Sequence, residues 1–383
     1  MKIRMPEYVK RIIRTLEDRG YEAYIVGGCV RDGMLGRQPE DWDVCTSATP
    51  EEIKESFSDV KTVDTGIRHG TVTVVIDHEP VEVTTFRTDG KYSDGRHPDK
   101  VQFTKDLTGD LARRDFTMNA MAYGPEGVID PFGGLADLTN GVIRCVGDPV
   151  KRFQEDALRI LRAVRFASVL GFEIEKSTEA AISRFAGIVR YVSTERINTE
   201  FSKLILGKNA GKILTRYREE IMEATGPELP LPTMLGKIDL LPAELPVRLV
   251  LLYPANLKDC LKGLKYDNAT IKKAAAIDAL AGEPLPFDEV SMKKLLRKGG
   301  PEAVRGSLEI CRTFDVDTSD AKAMLADILD SGQCYSLDQL AVTGADLNMA
   351  PGPEVGQVLN GLLDAVIEGR VENDKEKLLK EVR

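Results

Sequence analysis

The hydrophobic pattern of this chain changes at about residue 145, and that change limits the folds it can adopt. Before it, the runs TVTVVI (71–76) and VEVTTF (81–86) alternate and are separated by DHEP, which predicts a β-hairpin. Residues 6–19 repeat apolar side chains at helical spacing, with Val9, Ile12, Ile13 and Leu16 on one face. From about 148 onward the strand patterns vanish and helical patterns dominate, at 150–169, 177–187, 194–206 and 209–224. The sequence therefore predicts an α+β fold, with an N-terminal α/β head built on a small mixed sheet and an elongated, all-helical remainder.

Proline-rich segments mark candidate joints in the helical part. They are GPELPLP (226–232) and GEPLP (282–286). We expect a head at 1–145, a neck at 146–208, a body at 209–300 and a tail at 301–383. The polar stretch RTDGKYSDGRHPDK (87–100) lacks periodicity and is predicted to be a mobile loop.

Composition excludes several classes of protein. The 383 residues are 42% apolar and 30% charged, and we see neither a membrane-spanning run nor the apolar core of a signal peptide, so we expect a cytoplasmic protein without membrane contact. Six scattered cysteines without a CxxC pair indicate neither a disulfide framework nor a zinc site. The net charge of −9 argues against a nucleic-acid partner, but residues 143–210 carry 12 basic and 8 acidic side chains. One basic groove could therefore receive phosphates.

Two neighbouring motifs indicate phosphate chemistry. In VGGCVRDGMLGR (26–37), a Gly27-Gly28 turn lets backbone amides approach a phosphate, and Arg31 and Asp32 would face the ligand one turn into the next helix. In DWDV (41–44), Asp41 and Asp43 alternate on a predicted strand and project from one face. Two such carboxylates suit a pair of Mg²⁺ ions that bridge a triphosphate. A DxD or a Gly-Gly alone is usually an ordinary turn.

The order and spacing of these motifs resemble the DNA polymerase β nucleotidyltransferase superfamily. Further runs resemble the bacterial class II tRNA nucleotidyltransferases, or CCA-adding enzymes, and the related poly(A) polymerases: 81–103, RRDFTMNAMAY (113–123), EDALRILRAVRF (155–166) and 340–369. The resemblance implies a third catalytic carboxylate at Glu82, which would deprotonate or orient a 3′-hydroxyl. Glu82 could also be an ordinary solvent-facing strand residue.

The resemblance also assigns roles around the nucleotide. It places Arg114 on phosphate or sugar and Asp115 near the ribose, whereas a helix cap is the simpler interpretation of Asp115. It suggests that the loop at 87–100, with Arg87, Asp94 and Arg96, helps to switch the pocket from CTP to ATP. It gives ERINTE (195–200) the role of a structural clamp.

The segment EDALRILRAVRF is predicted to be one helix that buries Ala157, Ile160, Leu161 and Val164. Asp156 and Arg159 would then form an edge that reads the nucleobase. Cytosine and adenine both present an amino donor beside a ring-nitrogen acceptor, which an aspartate and an arginine complement. Arg162 and Arg165 would hold phosphates. The alternative is an exposed, salt-bridged helix face.

These expectations favour an enzyme that adds C, C and A to the 3′ end of tRNA from CTP and ATP. Addition of A alone, addition of CC alone and poly(A) synthesis remain open because one pocket would serve all of them. A catalytically inactive RNA-binding protein and a nucleotidyltransferase acting on small molecules are the alternatives from other classes. The oligomeric state is left open.

Overall fold

The computed structural model describes residues 3–90 and 100–382. The chain forms two compact units, Met1–Gly226 and Pro227–Arg383. The boundary falls at the start of the proline-rich segment 226–232, where a joint was predicted. Throughout the described ranges, each helix is too short or too polar to cross a lipid bilayer.

The first unit contains a seven-stranded mixed sheet in the order β3-β4-β5-β2-β1-β8-β9. β2 and β5 run parallel, and the other neighbouring strands are antiparallel. Helix α1 (Glu7–Asp18) buries the four apolar residues that the helical spacing predicted. The strands are β1 Ala23–Val26, β2 Asp43–Thr46, β3 Lys61–Gly66, β4 Thr71–Ile76, β5 Glu79–Thr85, β6 Arg87–Asp89, β7 Val101–Phe103, β8 Ala122–Gly124, β9 Gly127–Ile129, β10 Val142–Ile143 and β11 Glu173–Ile174.

The predicted hairpin is confirmed as β4 and β5, which pair in register from Thr71 with Thr84 to Ile76 with Glu79. Its two-residue turn consists of Asp77 (φ 52°) and His78 (φ 67°). Positive φ at both turn residues matches the right-handed twist of the strands. The hairpin places Glu82 in the strand that neighbours β2.

The predicted loop at 87–100 was too long. Its first residues form β6, which pairs with β7 so that Arg87 lies opposite Phe103 and Asp89 opposite Val101. The prediction failed because the polar composition of 87–89 hides a strand that tertiary pairing stabilises. Asp94 and Arg96 lie outside the described residues.

The helix predicted at 150–169 is two helices, α6 and α7. Asp156 between them has an extended backbone (φ −145°, ψ 105°), and its carboxylate accepts a hydrogen bond from the Leu158 amide at 3.1 Å. The helix predicted at 209–224 also divides, at Tyr217 (φ −111°, ψ 30°). The buried stripe Ala157, Ile160, Leu161 and Val164 is confirmed. The remaining helices of this unit are α2 Gly28–Met34, α3 Pro50–Ser56, α4 Leu107–Ala112, α5 Gly134–Asn140, α6 Pro149–Glu155, α7 Leu158–Leu170, α8 Lys176–Phe185, α9 Thr194–Ile205, α10 Ala210–Arg216 and α11 Arg218–Thr225.

The second unit is helical, as predicted. The region from 148 to 226 was also predicted to be helical, but it contains one short strand, β11, which pairs in parallel with β10. In the second unit, α16 is kinked at Gly300 (φ 78°) before Pro301. The helices of the second unit are α12 Pro232–Leu235, α13 Leu245–Leu252, α14 Leu257–Gly263, α15 Asn268–Ala281, α16 Glu289–Thr313, α17 Ser319–Asp330, α18 Pro353–Ile367 and α19 Lys375–Glu381.

Candidate active site

Three carboxylates meet at one end of the central strands. Asp43 is the first residue of β2 and lies directly opposite Glu82 in the parallel neighbour β5. Residues paired in this way project from the same face of a sheet, about 4.8 Å apart. Asp41 lies two residues before the first residue of β2. The prediction that both aspartates lie on the strand was therefore wrong for Asp41. The buried Trp42 between them anchors the segment.

Burial raises the pKa of Asp43 to about 6, and the nearby carboxylates of Glu82 and Asp41 add to this effect against the opposing charge of Arg114. Within residues 3–90 and 100–382, the three carboxylates make no hydrogen bond or ion pair with a protein side chain. The charge of Arg114 balances this acidic cluster only in part, and a divalent cation would balance the remainder. The described residues contain no group of three or more histidine, cysteine, aspartate or glutamate side chains that could hold a metal ion together. A divalent cation that takes one or two carboxylates would complete its shell with phosphate and water oxygens.

The two glycines of the predicted turn serve different purposes. Gly27 has φ 80° and caps the N-terminus of α2, and a Cβ at this position would lie 2.9 Å from Nη1 of Arg114. Gly28 begins the helix, and a Cβ there would lie 3.7 Å from Nη2 of Arg31, which is an ordinary contact. Only Gly27 is therefore required by the protein's own backbone and packing.

A cavity of about 450 Å³ lies beside Asp43. Seven arginines and three aspartates line it, so its walls carry an excess of positive charge. Ten of the thirteen predicted site residues contribute to the lining, namely Gly27, Gly28, Arg31, Asp43, Arg114, Asp115, Asp156, Arg159, Arg162 and Arg165. A basic cavity of this size beside an acidic cluster can hold a nucleoside triphosphate.

Three predicted residues do not line the cavity: Asp32, Asp41 and Glu82. The carboxylate of Asp32 accepts hydrogen bonds from Nε and Nη2 of Arg31 at 2.9 and 2.7 Å. Asp32 thus orients Arg31 and does not itself line the cavity. That it faces a ligand stays a prediction.

Asp110, which the sequence analysis missed, positions two arginines of the cavity. Its fully buried carboxylate accepts from Nη2 of Arg113 at 2.8 Å and from Nη2 of Arg114 at 3.3 Å. Burial acts to raise the pKa of Asp110, but the charges of Arg113 and Arg114 outweigh it and lower the pKa below its usual value. Only the adjacent arginine pair in RRDF hinted that both guanidinium groups would need a buried partner.

Asp115 organises a second set of cations. Three N–H groups donate to its carboxylate within 3.0 Å, namely the Phe116 amide, Nδ2 of Asn119 and Nε of Arg162, and Nη2 of Arg162 lies 2.6 Å away as an ion-pair contact. Burial would raise the pKa of Asp115, but the Arg162 charge and these hydrogen bonds lower it well below its usual range. Three donors leave one of the roughly four acceptor positions of this carboxylate. The predicted contact of Asp115 with a ribose hydroxyl stays a prediction.

Arg162 and Arg165 share one buried anion, Glu200 on α9. Its carboxylate accepts from Nε of Arg165 at 2.7 Å and from Nη1 of Arg162 at 3.4 Å. Burial lowers the pKa of Arg165, whereas for Arg162 the charges of Asp115 and Glu200 outweigh burial and raise the pKa. Both guanidinium groups are held at the cavity wall before any ligand binds.

Phe166 provides an aromatic centre for three cavity arginines. The guanidinium carbons of Arg165, Arg31 and Arg162 lie 3.7, 5.0 and 5.6 Å from the centre of its ring. The negative face of an aromatic ring attracts such cations. Phe166 is buried. The sequence analysis placed it at the end of the motif EDALRILRAVRF but gave it no role.

The predicted base-reading edge has a different geometry from the one expected. Asp156 lies between two helices and pairs with Arg196, whereas Arg159 on α7 is 9% exposed. Nη1 of Arg159 donates to the Arg152 carbonyl and to Glu155, and its Nη2 donates to the Arg113 carbonyl at 3.0 Å. Three of its five N–H groups are therefore used within the described residues, which leaves two for a ligand. The alternative of a freely exposed salt-bridged face does not describe this segment.

Family models match most of the chain. Residues 23–144 match the poly(A) polymerase head domain, residues 171–229 match a probable RNA and SrmB-binding site of polymerase A, and residues 247–382 match a putative tRNA nucleotidyltransferase domain 2. The first match contains the acidic cluster and the Gly27 turn.

Relatives that align over nearly the full length of the chain identify its family more precisely. The CCA-adding enzyme of Limosilactobacillus fermentum is 39% identical over 98% of this chain and 96% of its own length. That of Lactiplantibacillus plantarum is 40% identical over 97% of this chain and 94% of its own. This chain belongs to the CCA-adding enzyme family.

Solved structures of the family agree with the fold. The crystal structure of the Bacillus stearothermophilus CCA-adding enzyme in complex with CTP superposes with a TM-score of 0.83 at 36% identity, covering 97% of this chain and 95% of that one. The Thermotoga maritima CCA-adding enzyme complexed with tRNA shares the fold, with a TM-score of 0.68 at 22% identity and coverage of 100% and 96%. Nucleotidyltransferases of this family use divalent metal ions.

The difference between the two glycines can be tested by parallel substitutions. Gly27→Ala forces an alanine into a positive-φ conformation (φ 80°, ψ −129°) that costs roughly 1–2 kcal/mol, and its Cβ pushes on Arg114. We expect its thermal unfolding midpoint to fall by roughly 2–6 °C. Gly28→Ala is the matched control and should leave the midpoint unchanged. Equal midpoints for the two variants would contradict the assignment.

The raised pKa of Asp43 predicts a pH-dependent cost in stability. Below about pH 3 the carboxyl is protonated in both folded and unfolded chains. The cost grows between about pH 4, where the unfolded carboxyl ionises, and about pH 6, where the folded state must accept the buried charge. Without metal at pH 7.5, Asp43→Asn should raise the free energy of unfolding by roughly 2 kcal/mol, after partial exposure is discounted. At pH 4 most of this gain should be lost, as denaturant titrations at both pH values can measure. Asp59→Asn, at an exposed position, is the control, and a gain that persists undiminished at pH 4 would contradict the assignment.

Proposed function

We propose that this chain adds C, C and A in turn to the 3′ end of tRNA, using CTP and ATP and no nucleic-acid template. The main support for this proposal is the arginine-lined cavity, whose walls include Asp43 and Asp156. Membership in the CCA-adding enzyme family supports it over nearly the full length of the chain. A cytoplasmic location stays a prediction.

In this proposal Asp41 and Asp43 hold Mg²⁺. When bound, the metal would neutralise triphosphate charge and favour the attacking form of the RNA 3′-hydroxyl. Glu82 lies opposite Asp43 in the sheet and is exposed, so an RNA end can reach it. We assign it the orientation of that hydroxyl or the removal of its proton.

The triphosphate binds at the arginine end of the cavity. The backbone at Gly27 and Gly28 approaches without side chains, and Arg31, Arg114, Arg162 and Arg165 supply charge-assisted donors. Because Asp32, Asp110, Asp115 and Glu200 already fix these arginines, little side-chain entropy is lost when phosphate binds.

Asp156 and Arg159 read the base. Asp156 accepts from the exocyclic amino group of cytosine or adenine, and Arg159 donates to the ring nitrogen through an N–H group that its protein partners leave available. Uracil and guanine present a carbonyl where these bases present an amino group, so two acceptors would face each other. That mismatch leaves buried polar groups unpaired and costs binding free energy.

Incorporation by the purified chain tests the reaction directly. With tRNA that lacks its terminal CCA, we expect two additions from CTP alone, none from ATP alone, and one further addition when ATP follows CTP. Asp43→Asn should reduce incorporation at least 100-fold because a metal carboxylate is lost, and Asp59→Asn should retain it.

Other outcomes of this assay would replace the proposal. Addition of ATP only to tRNA ending in CC would identify an A-adding enzyme, and two additions of C without A would identify a CC-adding enzyme. Unlimited ATP addition would identify a poly(A) polymerase. Retention of tRNA without any incorporation would leave an RNA-binding protein.

The base-reading assignment predicts a change in nucleotide preference. Asp156→Asn replaces one acceptor with an amide that can donate to O4 of uracil. The ratio of CTP to UTP incorporation should fall by about 10–100-fold, since a hydrogen bond to a charged group contributes about 1.5–3 kcal/mol. An unchanged ratio in the variant, with Asp59→Asn as the reference, would contradict the role of Asp156.

A further inference from the structure

A second cavity of the first unit adjoins the segment that leads into the acidic cluster. Its volume of about 420 Å³ is close to that of the active-site cavity, and the two cavities share no lining residue. Its lining comes from three parts of the chain, within residues 3–6, 33–38 and 39–42. Gly33 lets the first part pack closely on α2, since a Cβ there would lie 2.9 Å from Cγ2 of Ile3. The cavity is therefore a compartment of its own.

The indole of Trp42 supplies an unused hydrogen-bond donor to this cavity. Trp42 is 7% exposed and lines the cavity, yet its Nε1–H donates to no group of the described residues. This nitrogen is not completely enclosed by protein either, so it can donate into the cavity. A buried tryptophan N–H usually has a partner. A ligand in the cavity would supply the missing acceptor.

Two arginines make the wall of this cavity positive. Arg4 and Arg37 line it and no acidic residue does, and within the described part of the chain neither guanidinium group forms an ion pair or a hydrogen bond. The side-chain amide of Gln38 adds another donor. The carbonyls at the end of α2 would oppose an anion, but three of them already accept from the amides of residues 35–37 at 2.9 to 3.2 Å. Either arginine alone would be an ordinary surface residue, whereas both beside a buried indole donor form a set that fits an anion.

We propose that this cavity binds a phosphate group, presented by a free nucleotide or by RNA. A phosphate has strongly accepting oxygens on several sides, which two guanidinium groups and an indole N–H can meet together. A carboxylate has about four acceptor positions and would leave more of these donors unused. Ile3, Pro6 and Pro39 offer apolar surface to the rest of the ligand. The site does not depend on the proposed function, because none of its residues is assigned to the reaction.

The fluorescence of Trp42 tests the site, because it is the only tryptophan of the chain. Without divalent metal and at constant ionic strength, inorganic phosphate and CMP would be titrated into the full chain as wild type, Arg37→Ala, Arg4→Ala and Arg11→Ala. Arg11 is an exposed arginine of α1 that does not line the cavity, so its variant is the matched control. We expect a saturable change of emission in the wild type and in Arg11→Ala. Binding should be about tenfold weaker in Arg37→Ala and in Arg4→Ala, since each loses charge-assisted hydrogen bonds.

Phosphate can also enter the active-site cavity, so a variant of that cavity separates the two sites. Arg165→Ala removes a cation that lines only the active-site cavity and should leave the Trp42 response unchanged. Trp42→Phe keeps an aromatic ring and removes the N–H. Measured by calorimetry in the Arg165→Ala background, it should bind inorganic phosphate several-fold more weakly. Thermal unfolding checks that each variant is folded.

A tRNA that lacks its terminal CCA distinguishes the two sources of phosphate. If saturating tRNA removes the response to inorganic phosphate, RNA presents the group, and if the response persists, a free nucleotide does. Both results support the site. An emission that does not change saturably in the wild type, or an equal loss of binding in Arg11→Ala, would overturn the inference. A response that Arg165→Ala abolishes while Arg37→Ala and Arg4→Ala retain it would overturn it as well.

Discussion

The pairing of crowded arginines with buried carboxylates is the interaction on which the site depends. Guanidinium groups this close would repel one another and fold away if they were left alone. Asp110 and Glu200 each hold two arginines and Asp115 holds one. The ring of Phe166 attracts three arginines, two of which Glu200 also holds. The positive wall therefore exists before the ligand arrives, and the positioning of its donors is built into the fold.

The acidic end of the site differs from the arginine wall, because its carboxylates form no ion pairs among the described residues. Burial raises the pKa of Asp43 more than the charge of Arg114 lowers it, and the charges of Glu82 and Asp41 raise it further. A protein tolerates such an arrangement when a ligand supplies the missing charge. A divalent cation and a triphosphate, bound together, would satisfy both halves: the cation balances the carboxylates, and the phosphates balance the arginines.

The sequence predicted the features that depend on local pattern. The hairpin of β4 and β5, the amphipathic α1, the Gly27 turn and the buried stripe of α7 all follow from spacing along the chain. The break at Asp156 did not, because a helical apolar repeat continues through it while its cause is a carboxylate that caps Leu158 and meets Arg196. Partners 40 residues apart in sequence leave no periodic signal. For the same reason the sequence identified five of the seven cavity arginines but not Glu200, which lies 35 and 38 residues from the two arginines it holds.

A crystal of the chain grown with CTP and Mn²⁺ would locate the metal through its anomalous signal. We predict a metal peak between Asp41 and Asp43, phosphates against Gly27, Gly28 and the arginines, and the cytosine amino group on Asp156. A metal peak away from both aspartates, or a base turned away from Asp156, would contradict this prediction.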